Sequence, residues 1–154
     1  MKIILSKKVV PADRQGFTLI ELLVVIAIIG LLSTLAVIAL GSAREDARDL
    51  KRLSDVKQVQ SALELYYVDN NAYPTEAVAI TLGSPSASCL NDDGFTTAGC
   101  AEPLYKEQVQ ADPLSGQNYT YESEDGTSYT INFTLEGAIN NLTGTLSATP
   151  NGIQ

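Results

Sequence analysis

From Phe17 to Leu40 the chain is apolar at most positions, broken by Glu21 and a few small or hydroxyl residues, and no further charge falls before Arg44. About 24 residues at about 1.5 Å each are enough to cross the hydrocarbon core of a bilayer as a helix. After Gly41 the pattern changes, with Ala47, Leu50, Leu53, Val56, Val59, Leu63 and Tyr66 recurring every three or four positions. That spacing draws one apolar stripe and predicts a single helix from Phe17 to about Val68, half in lipid and half laid on a folded domain. Too few heptads are present for a free coiled coil. Asp69-Asn70-Asn71 and Tyr73-Pro74 stop the helix.

Beyond it the chain is heavily punctuated. Ala72 to Pro103 holds Pro74, Gly83, Pro85, Gly94, Gly99 and Pro103 among many Ser and Thr residues, which predicts a long surface loop, with a short helical turn over Leu104–Val109 after it. Two later segments, Tyr119–Glu122 and Ser128–Leu135, read as strands. In the second, Tyr129, Ile131, Phe133 and Leu135 alternate with Thr130, Asn132 and Thr134, so one face lies on a core. Asp125-Gly126 predicts a hairpin between them, and Gly144–Thr149 adds a third strand. A long helix on a small antiparallel sheet is an α+β arrangement.

Charge divides the chain into contrasting stretches. Lys2, Lys7, Lys8 and Arg14 outweigh Asp13 before the apolar run, a basic flank that stays cytoplasmic under the positive-inside rule and places everything after Leu40 outside. A cleaved secretory signal fits poorly, because the apolar run is too long for one. Arg44, Arg48, Lys51, Arg52 and Lys57 face Glu45, Asp46, Asp49 and Asp55, whereas beyond Gln58 only Lys106 opposes twelve acids. A domain that acidic repels nucleic acid, so no direct nucleic-acid binding is expected.

The run Gly16-Phe17-Thr18-Leu19-Ile20-Glu21-Leu22-Leu23-Val24-Val25-Ile26-Ala27-Ile28-Ile29-Gly30 closely resembles the processing and assembly signal of type IV pilins and of the pseudopilins of type II secretion and competence systems. The resemblance implies a leader, residues 1–16, removed by a membrane prepilin peptidase and N-methyltransferase. Gly16 would precede the cut, Phe17 would become the methylated N-terminus, and Glu21 would be the assembly carboxylate. Residues 17–43 would form the transmembrane and assembly helix. Residues 44–154 would form the globular pilin domain, with an amphipathic helix half over 44–68, a loop region over 69–111 and the sheet over 112–154.

The expected function is structural. The chain would be a prepilin of a type IV pilus or pilus-like filament, with a secretion or competence pseudopilin as the alternative and a monomeric membrane-tethered binding domain as a remoter one. Implied partners are other pilin subunits in a homo-polymer, the peptidase, an inner-membrane assembly platform, and lipid before assembly. The precursor would sit in the inner membrane and the mature form in an extracellular or periplasmic filament.

Physical chemistry agrees on one point independently. An ammonium at Phe17 and the carboxylate of Glu21 would each be costly alone in an apolar setting, and pairing relieves both, within one chain or between two. Two departures from the family pattern are visible. Ile38 stands where many pilins carry a helix-weakening proline, leaving Gly30 and Gly41. Asp112-Pro113-Leu114-Ser115 differs from the Asp-Pro-Trp-Gly of major secretion pseudopilins, and Gly137 to Gly144 holds no acid of the kind that binds calcium there.

Other chemistry is sparse. With no histidine, Ser-His-Asp, Cys-His and histidine-ligated metal sites are excluded, and neither an enzyme, a cofactor nor a metal is expected. Cys89 and Cys100, both on the outer side, predict a disulfide in preference to a two-thiolate metal site. Glu122, Glu124 and Asp125 read as an acidic hairpin turn before a calcium site. Asn118, Asn132 and Asn141 begin Asn-X-Thr triplets, whose plainer reading is exposed strand and turn composition.

Overall fold

A computed structural model describes residues 16–154; the remainder of the leader lies outside the described residues. The chain divides between Leu40 and Gly41 into two compact units, and one helix, α1 (Leu19–Asn70), contributes to both. It begins two residues later and ends two residues further on than the pattern predicts.

In the first unit every described side chain is exposed, and the helix is long and apolar enough to cross a membrane. Its hydroxyls return to the backbone of the preceding turn: Ser33 Oγ donates to Ile29 O at 2.7 Å and Thr34 Oγ1 to Leu31 O at 2.8 Å. Among the described residues of this unit no side-chain donor is left to face hydrocarbon unpaired.

In the second unit α1 is capped by Asn71, whose φ of 55° is the left-handed conformation that Asn tolerates, with its N–H on Tyr67 O. A five-stranded antiparallel sheet follows in the order β1 (Glu76–Thr81), β5 (Thr120–Ser123), β6 (Thr130–Ile139), β7 (Leu142–Thr149), β8 (Gly152–Ile153). A second, three-stranded sheet is built from β2 (Cys89–Asn91), β3 (Gly94–Thr96) and β4 (Leu104–Lys106) in the order β3-β2-β4. The expected hairpin is present as β5–β6, with Tyr121 opposite Ile131. The α+β pilin arrangement is therefore the fold of this chain.

Three expectations change. The region read as a loop contains β1, β2 and β3, and Leu104–Lys106 is a strand rather than part of a helical turn. These pieces are short, and their pairings are supplied by other segments: β1 gains its ladder only from β5, some forty residues on. Gly83 closes the first crossing. At its φ of +73° a Cβ would strike the backbone of Ala111.

The third change concerns the helix stripe. Val56, Val59, Leu63 and Tyr66 are buried as expected, forming one core with Tyr121, Ile131 and Phe133. Ala47 and Leu50 are exposed and Leu53 is only half-buried. The buried line is continued toward the N-terminus by Asp49, Arg52 and Asp55 instead.

Candidate functional site

The first unit carries Gly16, Phe17 and Glu21, the positions expected to serve processing and assembly. Gly16, Phe17 and Thr18 precede the helix and adopt no regular structure, and Phe17 is 80 % exposed. Thr18 N–H and Thr18 Oγ1 both donate to Glu21 Oε2, at 2.9 and 2.7 Å, while Glu21 N–H points back to Thr18 Oγ1 at 3.3 Å. This is a reciprocal capping box, in which a Thr at the cap and a Glu three positions on satisfy donors that the first helical turn leaves unpaired. The Thr-x-x-Glu spacing of Thr18 and Glu21 is the sequence signature of this cap.

Among the described residues no hydrogen bond joins Phe17 to Glu21, whose Oε1 has no partner. In the uncut chain the Phe17 nitrogen is an amide and carries no charge to offer. Among the described residues, a Cβ built on Gly16 would touch nothing within 4 Å.

The second unit holds its own concentration of charge. Arg52 is fully buried and its guanidinium meets three carboxylates. Asp112 is held by two bonds, Nε to Oδ2 at 2.8 Å and Nη2 to Oδ1 at 2.9 Å. Nη1 donates to Asp49 Oδ1 and to Glu136 Oε1, each at 2.6 Å. Arg48 adds a second fork on Glu136, with Nε to Oε1 at 2.7 Å and Nη2 to Oε2.

The backbone completes the arrangement. The β6–β7 register shifts between Thr134 and Ala138, and in that interval Glu136 N–H and Gly137 N–H turn to Asp49, the latter at 2.8 Å from Oδ2. Asp112 Oδ1 also accepts Leu114 N–H at 2.8 Å. The helix, the Asp112-Pro113 loop and the bulged strand are thus tied to one guanidinium.

Protonation follows from these contacts. Hydrogen bonds from Arg48, and secondarily from Arg52, hold the Glu136 carboxyl down to about 2 against the opposing pull of burial. Burial is the largest influence on Asp49 and would raise it. The Glu136 and Gly137 N–H groups together with Arg52 outweigh that and leave it below the usual carboxylate range. Asp112, foremost, and the other two acids keep Arg52 charged despite its burial. Asp49, Arg52, Asp112 and Glu136 were invisible as a group in the sequence, because 84 residues separate Arg52 from Glu136 and 60 separate it from Asp112.

Cys89 and Cys100 are joined by a disulfide with Cα atoms 6.4 Å apart, and it closes the β2–β3 hairpin at its base. Asn132 lies near the start of β6, accepting Ser147 Oγ at 2.7 Å, and Asn140-Asn141 form a turn at φ 51° and 67°. Asp125 is engaged with Thr127 as a turn acid, in keeping with the plainer reading of that hairpin.

Comparison with known proteins agrees with both units. Residues 11–42 match the prokaryotic N-terminal methylation motif, and residues 39–147 match the family described as type II secretion system (T2SS), protein G. The type II secretion system core protein G of Escherichia coli (strain K12) is 35 % identical over 117 residues, 71 % of this chain and 79 % of that protein. The Vibrio cholerae protein of the same name is 32 % identical over 71 % of each chain. That of Aeromonas hydrophila is 45 % identical over a shorter stretch, 40 % of this chain and 43 % of its own. No solved structure matches. Of the two filament readings the match favours the pseudopilin over the pilus subunit, and in either the subunit is structural rather than enzymatic. An apolar anchor helix that opens on a methylation motif and leads into an α+β domain matched over most of its length places this chain in the type II secretion system protein G family.

Proposed function

We propose that this chain is the precursor of a pseudopilin: a membrane-anchored subunit cut after Gly16, methylated on Phe17, and polymerised with further pilin-like subunits through the helix that Glu21 opens. The observation that carries this reading is the family match over residues 39–147, which meets the methylation motif over residues 11–42. The geometry lends support. The Gly16–Phe17 bond lies outside the helix in an exposed segment, where a peptidase can reach backbone. Among the described residues nothing crowds Gly16, and a peptidase that approaches the backbone closely favours a residue with no Cβ there.

The test is made in the native host. Mass spectrometry of mature protein is expected to find Phe17 as N-terminal residue with one added methyl group, and Gly16→Ala is expected to slow the cut. Deleting the gene is expected to stop export of secreted proteins while leaving long surface fibres unaffected. Loss of such fibres with secretion intact would return the chain to the pilus reading. A mature chain beginning at Met1 would refute processing altogether.

A further inference from the structure

The half of α1 inside the globular unit has two unlike faces. One carries the buried line described above. On the other, Leu50, Leu65 and Val68 are 55 %, 59 % and 77 % exposed, and a shallow groove runs between Leu50, Leu53, Ser54, Lys57 and Asn140. The Lys57 ammonium is exposed and has no partner among the described residues.

Negative charge collects at the C-terminal end of the same helix. Its last turn holds no basic residue and ends Asp69-Asn70, an acid set against the negative end of the helix dipole. The Tyr105 hydroxyl lies 3.1 Å from Asp69 Oδ2 and 3.5 Å from Asp92 Oδ1, bringing the β2–β3 turn to that end. Gly126 O accepts Tyr73 N–H at 2.8 Å, which brings Glu124 and Asp125 of the β5–β6 turn there too. No Lys or Arg pairs with these acids among the described residues.

We propose that the groove around Lys57 receives the acidic helix end of a second copy of this chain. The contact deepens the filament reading and rests on it. Lys57 and Asp69 lie twelve residues apart on one helix, a displacement of about 18 Å at 1.5 Å per residue. Two unlike and complementary patches displaced along one axis meet head to tail when parallel copies are staggered by that distance. Such a contact continues as an open filament instead of closing as a dimer. Apolar Leu50 and Leu53 supply area in the groove, and Lys57 selects an acidic visitor and fixes the stagger.

The experiment uses the full-length chain in membranes that contain the assembly machinery. Lys57→Cys combined with Glu124→Cys is expected to give a ladder of covalent multimers under mild oxidation, and neither single variant is expected to do so. Dimers from Lys57→Cys alone would mean a like-with-like contact and overturn the proposal. Filaments that form normally without any ladder would overturn it while leaving the filament reading intact. Independently, Lys57→Glu is expected to lower filament yield about ten-fold or more, and adding Glu124→Lys to restore it. Unchanged yield in Lys57→Glu would refute the role of charge. Absence of filaments from the unaltered chain would overturn the filament reading and this contact together.

Discussion

The two units treat charge in opposite ways. In the globular unit three carboxylates and two guanidinium groups are drawn into one network, with backbone N–H groups filling the remaining acceptor positions. Among the described residues of the apolar unit the one carboxylate, Glu21, has only its own cap for company, with one oxygen occupied and the other open. The first arrangement is complete within the chain. The second leaves an acceptor open among the described residues, as a position proposed to meet a neighbouring subunit would.

The comparison breaks first at Glu21. Glu21→Val makes the helix more apolar and easier to insert, so the membrane-held subunit should persist at normal level while filament recovery falls to a small fraction of wild type. Comparing sheared or extracted filaments with membrane-retained subunit reads this directly. Normal filaments would mean that Glu21 does no more than cap the helix.

Arg52 is the matching position in the other unit. Arg52→Met leaves Asp49, Asp112 and part of Glu136 without their cation, and removing one side of a buried pair typically costs about 3–5 kcal/mol. Denaturant unfolding of the detergent-solubilised full chain measures it. The same network sets an acid dependence. Glu136 titrates at about 2 when folded and about 4.3 when unfolded, so the unfolded state takes up the proton first. The stability from this group is complete above about 4.3 and is lost as pH falls toward about 2, and Asp49 acts in the same direction. Arg52→Met should flatten that slope. A slope that survives unchanged would show that other acids carry it.

Smaller effects sharpen the contrast. Cys89→Ser opens a loop of 11 residues' separation and should remove roughly 3 kcal/mol in the chain-entropy account, with no effect on assembly beyond subunit stability. Thr18→Ala removes one half of the capping box, a loss of about 1 kcal/mol. Hydrogen exchange at the first amides of α1 should quicken. Exchange unchanged there would mean that another contact holds the helix start.

How far the sequence displays all this depends on whether the relevant contacts are local. The helix, the β5–β6 hairpin and β7 are legible because periodicity and turn residues lie within the segments themselves. β1 to β4 are not, since each has only three to six residues and β1 finds its partner some forty residues on. The helix stripe misleads for a different reason. Charged residues at Asp49, Arg52 and Asp55 read as solvated, and the Asp112 loop and β6 that complete the burial of Asp49 and Arg52 lie 60 or more residues further along the chain. Phe17 and Glu21 stand out by pattern, while the Thr18 cap that joins Glu21 to the helix start lay in plain view at a spacing of three.

The opening of α1 at Leu19, two residues beyond the Gly16–Phe17 bond, bears on what a cut there does to the subunit's energy. The amide ends of the first helical turn present about half a unit of positive charge. Cleavage would add a whole unit at Phe17, like beside like, without disturbing the cap that Thr18 and Glu21 form. Processing would therefore raise the subunit in energy while leaving its backbone almost unaltered, and the first carboxylate to reach that tip would release the excess. A maturation step of this kind would act as a ratchet: it adds a charge that a carboxylate, of the same chain or of a neighbour, can relieve, where the precursor's Phe17 amide offers none.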